Sequence, residues 1–194
     1  MVISGPSGAG KGTLIAKIRA RFRDLRLSVS ATTRKRRRGE EEGRDYFFLE
    51  REDFKKRMDR GDFLEHAEYG GNLYGTPRQA VEDSLRRGCD VLLEIELQGA
   101  MQVHDAVEDA VMVFVAPPDL GELETRLRRR DTESETQIQR RMDHAREELA
   151  CRDEHGKPPE FDYAIVNADV CEAADSLARI IEDIRVHDSA RHQD

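Results

Sequence analysis

The chain has 194 residues, enough for one domain with a substantial core, and charged residues make up 37% of it. Its 40 acidic and 32 basic side chains give a net charge of −8. This excess of negative charge argues against non-specific binding to nucleic acid or to an anionic membrane.

The first part of the chain alternates β-rich runs with a helical pattern. VIS (2–4) predicts a short strand, and the apolar residues that recur at spacings of three and four from Leu14 to Leu25 predict an amphipathic helix. LSVSATT (27–33) and RDYFFLE (44–50) predict two further strands. A buried strand next to a helix is therefore expected at the beginning of the chain.

The next segments are predicted to be helical. REDFKKRMDRGDFLE (51–65) predicts a helix that ends near Gly61. Thr76 and Pro77 are typical of an N-cap followed by the first residue of a helix, and Gly88 stands where that helix would end.

The second half contains compact apolar runs, which are typical of strands buried on both faces of a parallel sheet. They are VLLEIE (91–96), VMVFVA (111–116) and YAIVN (163–167), and the first two precede helical stretches. A last helix is predicted over 173–186, and the tail 187–194 is expected to be disordered. Strands alternating with helices predict an α/β fold with a parallel sheet flanked by helices.

The cysteines and histidines give no sign of a metal site. Cys89, Cys151 and Cys171 are too few and too far apart for a disulfide framework or a zinc site, and the six histidines lack metal-ligand spacing. No run approaches the ~18 apolar residues of a membrane span. We therefore expect reduced thiols and a cytoplasmic location.

The segment GPSGAGKGT, from Gly5 to Thr13, separates the first predicted strand from the first predicted helix. A glycine-rich turn in this position lets backbone N–H groups surround a phosphate, and the helix N-terminus adds partial positive charge. Gly5, Gly10 and Lys11 satisfy the pattern G-x-x-x-x-G-K, although Gly12 follows the lysine and the hydroxyl comes one place later. An ordinary turn can match three fixed positions by chance, so the placement between strand and helix is what favours phosphate binding.

Five consecutive basic residues, Arg34 to Arg38, form a second cluster. Such a run can be a solvated loop, a nucleic-acid site, or an anion pocket in which two arginines hold one phosphate. Glu40, Glu41 and Glu42 follow at once and would repel a polyanion. Taken alone, the residues leave the solvated loop and the anion pocket open.

Seven segments together carry a resemblance to a known family. In chain order they are GPSGAGKGT, SVSATTR, GRDYFF, EHAEYGGNLYGTP, LLEIELQGA, VFVAPP and YAIVN. This series resembles the guanylate kinase family from Val2 to about Val186. The resemblance implies a P-loop nucleoside monophosphate kinase, an enzyme that uses ATP and Mg²⁺ to convert GMP to GDP. Within residues 1–186 it also implies a core (1–28, 80–120 and 152–186), a GMP-binding arm (29–79) and a lid (121–151).

The resemblance also implies which residues bind each substrate. The GMP phosphate would be held by Arg34, Arg37, Tyr46 and Tyr74. The guanine would be bound by Ser30, Glu65, Thr76 and Glu96. ATP would be bound by Gly5, Pro6, Ser7, Gly8, Ala9, Gly10, Lys11, Gly12 and Thr13 of the loop, by the arginines Arg126, Arg130 and Arg141, and by Asn167. The catalytic residues would be Lys11, Arg34, Arg126 and Arg141. Thr13 and Glu94 would meet the Mg²⁺ ion, directly or through water.

Elementary chemistry agrees with part of this assignment. Guanine has two adjacent N–H donors on its Watson–Crick edge, and one carboxylate such as Glu65 can accept both, whereas adenine offers an acceptor there. Glu94 lies two residues before Glu96, so on a strand both would point to one face. Taken alone, these glutamates could equally be charges at an exposed strand end. Tyr46 and Tyr74 could be packed core residues, and the arginines of the lid could be solvated.

The chain departs from the family pattern in three places. Arg129, Arg130 and Asp131 stand where the family commonly has Gly-Arg-Gly, and Arg36 stands where it commonly has proline. An insertion-like stretch, HGKPPEFD (155–162), precedes the last predicted strand. These differences bear on the lid and on turnover rather than on the type of reaction.

Two alternative functions remain at this point. One is a non-catalytic guanylate-kinase-like module that binds protein partners, and the intact Lys11, Arg34 and Arg37 argue against it. The other is a P-loop kinase for another small phosphorylated acceptor, against which the guanine-binding set argues. We expect GMP and ATP as the partners, and neither nucleic acid nor a membrane. The sequence leaves monomer and homodimer open.

Overall fold

The computed structural model describes residues 1–129, 134–150, 153 and 156–191, with backbone only for 188–191. The strands are β1 (Val2–Ser4), β2 (Arg26–Leu27), β3 (Ala31–Thr32), β4 (Phe47–Phe48), β5 (Phe63–Tyr69), β6 (Asn72–Pro77), β7 (Val91–Glu94), β8 (Met112–Ala116) and β9 (Tyr163–Val166). The helices are α1 (Lys11–Arg21), α2 (Arg51–Asp59), α3 (Arg78–Arg86), α4 (Leu97–Ala106), α5 (Leu120–Arg128), α6 (Glu135–Ala150) and α7 (Val170–Arg191). Residues cluster into two compact units, Met1–Ser4 with Asp24–Met112, and Gly5–Arg23 with the described residues after Met112.

The first unit contains a parallel arrangement of three strands. β7 lies between β1 and β2 and pairs with both, with Val2 opposite Leu93 and Leu27 opposite Leu92. Val91, Leu92 and Leu93 are all buried, which explains their continuous apolar run. Parallel pairing and the alternation of strands with helices confirm the predicted α/β class.

The first unit also contains a second sheet with the strand order β4-β3-β6-β5. β5 and β6 form an antiparallel hairpin in which Tyr69 pairs with Asn72 across a two-residue turn. Gly70 and Gly71 make this turn with φ of 58° and 78°. Two successive residues with positive φ match the right-handed twist of the flanking strands, and glycine adopts this conformation without strain.

An apolar cluster holds the second sheet against helix α2. Ala31, Phe54, Phe63 and Leu73 are its buried members, and the rings of Phe54 and Phe63 stack with centroids 4.4 Å apart. Phe54 is the buried residue of α2, whose other residues are mostly exposed. One aromatic side chain therefore attaches a highly charged helix to the sheet.

The second unit contains the parallel pair β8 and β9, in which Val113 lies opposite Tyr163 and Ala116 opposite Val166. Helices α1 and α7 pack on each other, and α7 also packs on β9. Helices α5 and α6 share a buried cluster of Leu123, Leu127, Ile138, Met142 and Ala145. Asp119 caps α5 because its side chain accepts a hydrogen bond from the Glu122 N–H at 2.7 Å.

Several predicted elements differ in length from the observed ones. The run predicted as one strand over 27–33 contributes to β2 and β3, and the strand predicted over 44–50 is reduced to β4. The predicted strand 91–96 ends at Glu94, because Glu96 is already the N-cap residue of α4. Helix α3 begins at Arg78, one residue later than predicted, after Pro77.

Two predictions were wrong in kind. Residues 63–65 belong to β5 rather than to the helix predicted over 51–65, which ends at Asp59 before Gly61 turns the chain with φ 71°. The tail 187–194 was expected to be disordered; residues 192–194 lie outside the described residues, whereas residues 187–191 continue helix α7. Their sequence contains neither glycine nor proline, so no residue interrupts the backbone hydrogen bonds.

No helix in the described part of the chain is long and apolar enough to cross a membrane.

The hairpin turn gives a stability prediction. Replacing Gly71 with valine should lower the free energy of unfolding by about 1–2 kcal/mol, because a β-branched residue is strained at φ 78°. A Cβ atom there meets nothing within 4 Å, so the effect should come from the backbone alone. Asparagine tolerates positive φ and is the matched control. Urea unfolding of wild type, Gly71→Val and Gly71→Asn measures the difference, and equal stability of all three would contradict the prediction.

Candidate functional site

The loop between β1 and α1 has the conformation that the sequence predicted for phosphate binding. Gly5, Gly8 and Gly10 have φ of 136°, 95° and 90°. A Cβ atom on Gly5 would lie 2.1 Å from the carbonyl oxygen of Val115, so no other residue fits there. The loop leads directly into α1 at Lys11. Its N–H groups and the helix N-terminus are the anion-binding features of such a turn.

Lys11 is the first residue of α1 and is only 8% exposed. Its ammonium group donates hydrogen bonds to the carbonyl oxygens of Gly5 and Pro6, the second at 3.3 Å. These bonds compensate for the removal of the charge from water and keep the ammonium over the loop. Gly12 and Thr13 lie on the first turn of α1 and are exposed.

Three predicted residues distant in sequence converge on this loop. Asn167 is 3% exposed and donates from Nδ2 to the Ala9 carbonyl at 2.7 Å. Arg126 donates from Nη2 to the Asn167 carbonyl at 3.0 Å, and Arg141 donates from Nη1 to Ser7 Oγ at 2.9 Å. The predicted ATP-binding residue Arg130 lies outside the described residues. Two cationic side chains and Lys11 are therefore collected around one loop.

Helix α5 packs against the loop, and an ion pair within the helix restrains Arg126. A Cβ atom on Gly8 would come within 2.8 Å of Leu123 and 3.0 Å of Leu127, so the helix touches the loop backbone. Glu122 accepts from Arg126 Nε at 2.8 Å, one helical turn away. The sequence analysis did not single out Glu122, although its i, i+4 spacing to Arg126 was visible.

The predicted phosphate-binding residues of the arm form a cluster around Arg34. Its guanidinium lies 5.2 Å from the ring centroid of Tyr46, and the Tyr46 and Tyr74 rings meet edge to face at 6.1 Å. Two hydrogen bonds join Arg34 to Glu40, and they raise the pKa of the arginine further above its ordinary value. Burial raises the pKa of Tyr46. The structure thus brings Arg34, Tyr46 and Tyr74 together, while the Arg37 side chain is exposed.

Two of the predicted guanine-binding residues, Glu65 and Thr76, meet at a buried carboxylate. Glu65, on β5, is 5% exposed and accepts a hydrogen bond from Thr76 Oγ1, on β6, at 2.7 Å. Burial raises the pKa of the Glu65 carboxyl, and the hydrogen bonds from Thr76 oppose part of this shift. Ser30 uses its carbonyl to accept from the Phe47 N–H at 2.9 Å. Glu96 is exposed at the N-cap of α4.

Helix α4 reaches the Glu65 carboxylate through Gly99. A Cβ atom on this glycine would lie 2.5 Å from Glu65 Oε2, so only glycine lets the helix pass so closely. One turn later Gln102 pairs with the backbone of the next residue of β5. It accepts from the His66 N–H at 3.1 Å and donates to the His66 carbonyl at 2.9 Å. Helix α4 is therefore fixed to the strand that carries Glu65.

The residues predicted to meet Mg²⁺ are exposed oxygen donors. Glu94 lies at the end of β7 and Thr13 on the first turn of α1. Within the described ranges there is no group of three or more His, Cys, Asp or Glu placed to hold a metal ion. Mg²⁺ in kinases is usually held by one or two carboxylates, by water and by substrate phosphates, and Glu94 is an exposed carboxylate of the kind required.

Comparison with known proteins decides the family. The sequence model of the family described as guanylate kinase matches residues 1–184 of this chain. The chain belongs to the guanylate kinase family. Among its relatives, a guanylate kinase of Rubrobacter xylanophilus is 51% identical over 184 residues, covering 95% of this chain and 93% of the relative. A guanylate kinase of Streptococcus thermophilus is 50% identical over 183 residues, covering 94% and 85%.

A solved structure agrees with the family at the level of the fold. The crystal structure of a guanylate kinase from Anaplasma phagocytophilum has a TM-score of 0.70 at 36% identity, and the match covers 94% of this chain and 83% of that one. The predicted family, the P-loop nucleoside monophosphate kinase fold and the enzyme class are confirmed. Neither the binding module nor the kinase for another acceptor is supported.

Sequence analysis missed the residues that position Arg34 and Glu65 in this guanylate kinase. Glu40 was considered only as a charge that repels polyanions, whereas it contacts Arg34. Gly99 and Gln102 were not singled out, although both lie in or next to the LLEIELQGA segment that carried the resemblance. Their roles depend on contacts with β5, a strand that the sequence analysis did not predict.

The close approach of α4 gives a prediction for the arm. Gly99→Ala should lower kcat/KM for GMP, because the methyl group displaces Glu65. The corresponding activation free energy should rise by about 1–3 kcal/mol. Alanine favours a helix over glycine by about 1 kcal/mol, so thermal stability should not fall in proportion. The KM for ATP should stay unchanged. Steady-state kinetics of Gly99→Ala beside Gln98→Ala, an exposed site on the same helix, measure this. Unchanged GMP kinetics in Gly99→Ala would refute the contact.

Proposed function

We propose that this guanylate kinase transfers the γ-phosphoryl group of ATP to GMP, giving ADP and GDP. The observation that carries the choice of GMP is the buried carboxylate of Glu65, held by Thr76 and Gly99. The two oxygens of this carboxylate can accept two adjacent N–H donors of a guanine base. Adenine would offer this buried carboxylate no N–H pair to accept, so that only the Thr76 hydroxyl would remain as its partner, which costs about 1–3 kcal/mol.

The phosphate of GMP is bound in this proposal by Arg34, with Tyr46 and Tyr74 beside it. The Arg34 side chain is mostly buried and its guanidinium lies against aromatic rings, so its orientation is restricted before a ligand arrives. Arg37 has an exposed side chain near the same turn and supplies the second cation. Thr76, Ser30 and Glu96 complete the guanine-binding set, as the family resemblance implies.

ATP is bound in this proposal by the loop from Gly5 to Thr13. Backbone N–H groups and Lys11 hold the phosphates, as in other P-loop proteins. Arg141 contacts Ser7 of the loop, and Arg126 contacts Asn167, which in turn bonds to Ala9 of the loop, so both arginines can neutralise charge on the transferring group. Asn167, buried next to Ala9, fixes the loop from the side.

Phosphoryl transfer asks the protein for position and charge rather than for covalent chemistry. The acceptor phosphate is already an anion at neutral pH, so no general base is needed. Arg34 directs the acceptor oxygen, and Lys11 with the two arginines stabilises the charge of the transition state. Thr13 and Glu94 would hold Mg²⁺ directly or through water, and the bound ion would supply positive charge that neutralises the phosphates.

The cellular setting is part of the proposal. Cys89 and Cys171, the cysteines within the described residues, are free thiols, as expected in a reducing compartment. A cytoplasmic enzyme with small-molecule partners, GMP and ATP, agrees with this chemistry. The division into core, arm and lid stays a prediction from the family resemblance.

A coupled assay tests the activity. The purified chain with ATP and Mg²⁺ should form ADP with GMP and much less with AMP, CMP or UMP. Lys11→Met should reduce kcat at least about a hundredfold, because it removes the charge at the transferring phosphates. GMP binding measured by calorimetry should persist in that variant, since Lys11 belongs to the ATP loop. GMP binding by the wild type without GDP formation at any Mg²⁺ concentration would instead support a binding module.

The Glu65–Thr76 contact gives a pH prediction. Glu65 must be ionised to accept both guanine donors, so kcat/KM for GMP should fall as pH drops through its pKa. The Thr76 hydroxyl lowers that pKa, and Thr76→Val removes this hydroxyl while keeping the shape. The acid limb of the profile should therefore move to higher pH in Thr76→Val.

Glu65→Gln provides the control for this profile, because its amide does not titrate. This variant should have low GMP activity and should lack the Glu65 limb, leaving only the titration of the GMP phosphate. An acid limb at the same pH in wild type and Thr76→Val would show that Glu65 does not govern GMP use.

A further inference from the structure

Glu40 occupies the end of the Arg34 guanidinium. Its carboxylate oxygens accept from Nη2 at 2.8 Å and from Nη1 at 3.1 Å, so the pair is bidentate. The two side chains are only 13% and 20% exposed. Bidentate arginine–carboxylate pairs with restricted side chains fix geometry in a way that ordinary exposed ion pairs do not.

The same carboxylate closes the turn that carries the second predicted phosphate ligand. Glu40 Oε2 accepts from the Arg37 N–H at 2.8 Å, and the Glu40 N–H donates to the Arg37 carbonyl at 3.2 Å. Gly39, with φ 90°, allows the chain to turn between them. The bonds to Arg34 and Arg37 both lower the pKa of Glu40, so it stays ionised at neutral pH.

The Arg34 guanidinium has one edge that does not face Glu40. A guanidinium has five N–H donors. Nη1 uses its two on Glu40 and on the Lys35 carbonyl, at 2.9 Å, and Nη2 uses one on Glu40. The remaining two, on Nε and Nη2, share the opposite edge, and two donors on one edge are spaced to meet two oxygens of one phosphate. Arg34 also has a side-chain hydrogen bond with Tyr74, another predicted ligand of the same phosphate. Tyr46 and Phe48 lie at 5.2 and 5.9 Å from the guanidinium and restrict its rotation.

We propose that Glu40 is a positioning residue for the phosphate of GMP. By binding the far end of Arg34 and the backbone of Arg37, it presents the Nε–Nη2 edge of Arg34 to the phosphate and fixes the turn on which Arg37 lies. The inference rests on the proposed function, because it assigns Arg34 to the acceptor phosphate. It makes Glu40 an aid to binding, although its negative charge by itself would repel the ligand.

Binding of GMP and of guanosine to the full chain separates the phosphate from the base. Glu40→Ala should weaken GMP binding about tenfold, because a charge-assisted pair no longer orients Arg34. Guanosine binding should change less than about twofold, since Glu65 and Thr76 are untouched. Glu40→Gln keeps one acceptor oxygen and should lie between Ala and wild type. In steady-state kinetics KM for GMP should rise while KM for ATP stays constant.

Glu41→Gln is the matched control. It removes one negative charge from the adjacent residue, whose carboxylate contacts the exposed Arg44 at 2.7 Å instead of Arg34. It should leave both affinities within about twofold of wild type, which would exclude a general effect of charge. Circular dichroism and thermal unfolding of each variant establish that the arm is folded.

The outcomes are distinct. Unchanged or tighter GMP binding in both Glu40 variants would overturn the proposal and show that Glu40 competes with the phosphate. Equal weakening of GMP and guanosine would overturn it in favour of a general role in folding the arm. A wild-type chain that neither binds nor phosphorylates GMP would overturn the proposed function itself, and this inference with it.

Discussion

Lys11, Arg34, Arg126 and Glu65 are charged groups removed wholly or partly from water, and the cost of that removal determines much of the structure around them. An unpaired buried charge is so unfavourable that each must have a polar partner in the folded chain. Lys11 has the loop carbonyls, Arg34 has Glu40, and Glu65 has Thr76. Arg126 has Glu122 and the carbonyl of Asn167. The partners that allow burial also fix the direction of each charged group.

Fixed direction is what this chemistry needs. Phosphoryl transfer gains from charges that are already in place, because little of the barrier is covalent work for the protein. In the second unit, backbone carbonyls hold the cationic side chains near the loop, as for Lys11 and Arg126. In the first unit, side chains hold them, and aromatic rings restrict the arginine further. Both units therefore fix the direction of their cationic side chains, the second through backbone carbonyls and the first mainly through side chains.

The site also requires backbone segments to pass close to other groups, and glycine residues allow this. Gly5 lies against the Val115 carbonyl, and Gly99 lies against the Glu65 carboxylate. In each case a single methyl group would fill the space on which the contact depends. Gln102 then fixes α4 to β5 through the backbone of His66, so the carboxylate and its strand are fixed by the same helix. Packing and polar contacts thus act on the same few residues.

Local pattern by itself determined the α/β class, the strand–loop–helix passage at Lys11 and the apolar runs of β7, β8 and β9. These features depend on neighbours in sequence: glycine allows a tight turn, and a continuous apolar run suits a strand buried on both faces. Resemblance of ordered segments added the family. The hairpin β5–β6 was also within reach, since Gly70 and Gly71 between pairing residues are a turn signal.

Tertiary structure alone decided which distant residues meet. Arg141 reaches Ser7, Gln102 reaches His66, and Gly99 reaches Glu65, all across long separations in sequence. A sequence pattern records periodicity and spacing along one element, whereas these contacts depend on how two elements pack. The same reason explains Glu40: the sequence showed one acid among three, and only the folded turn showed which of them holds Arg34.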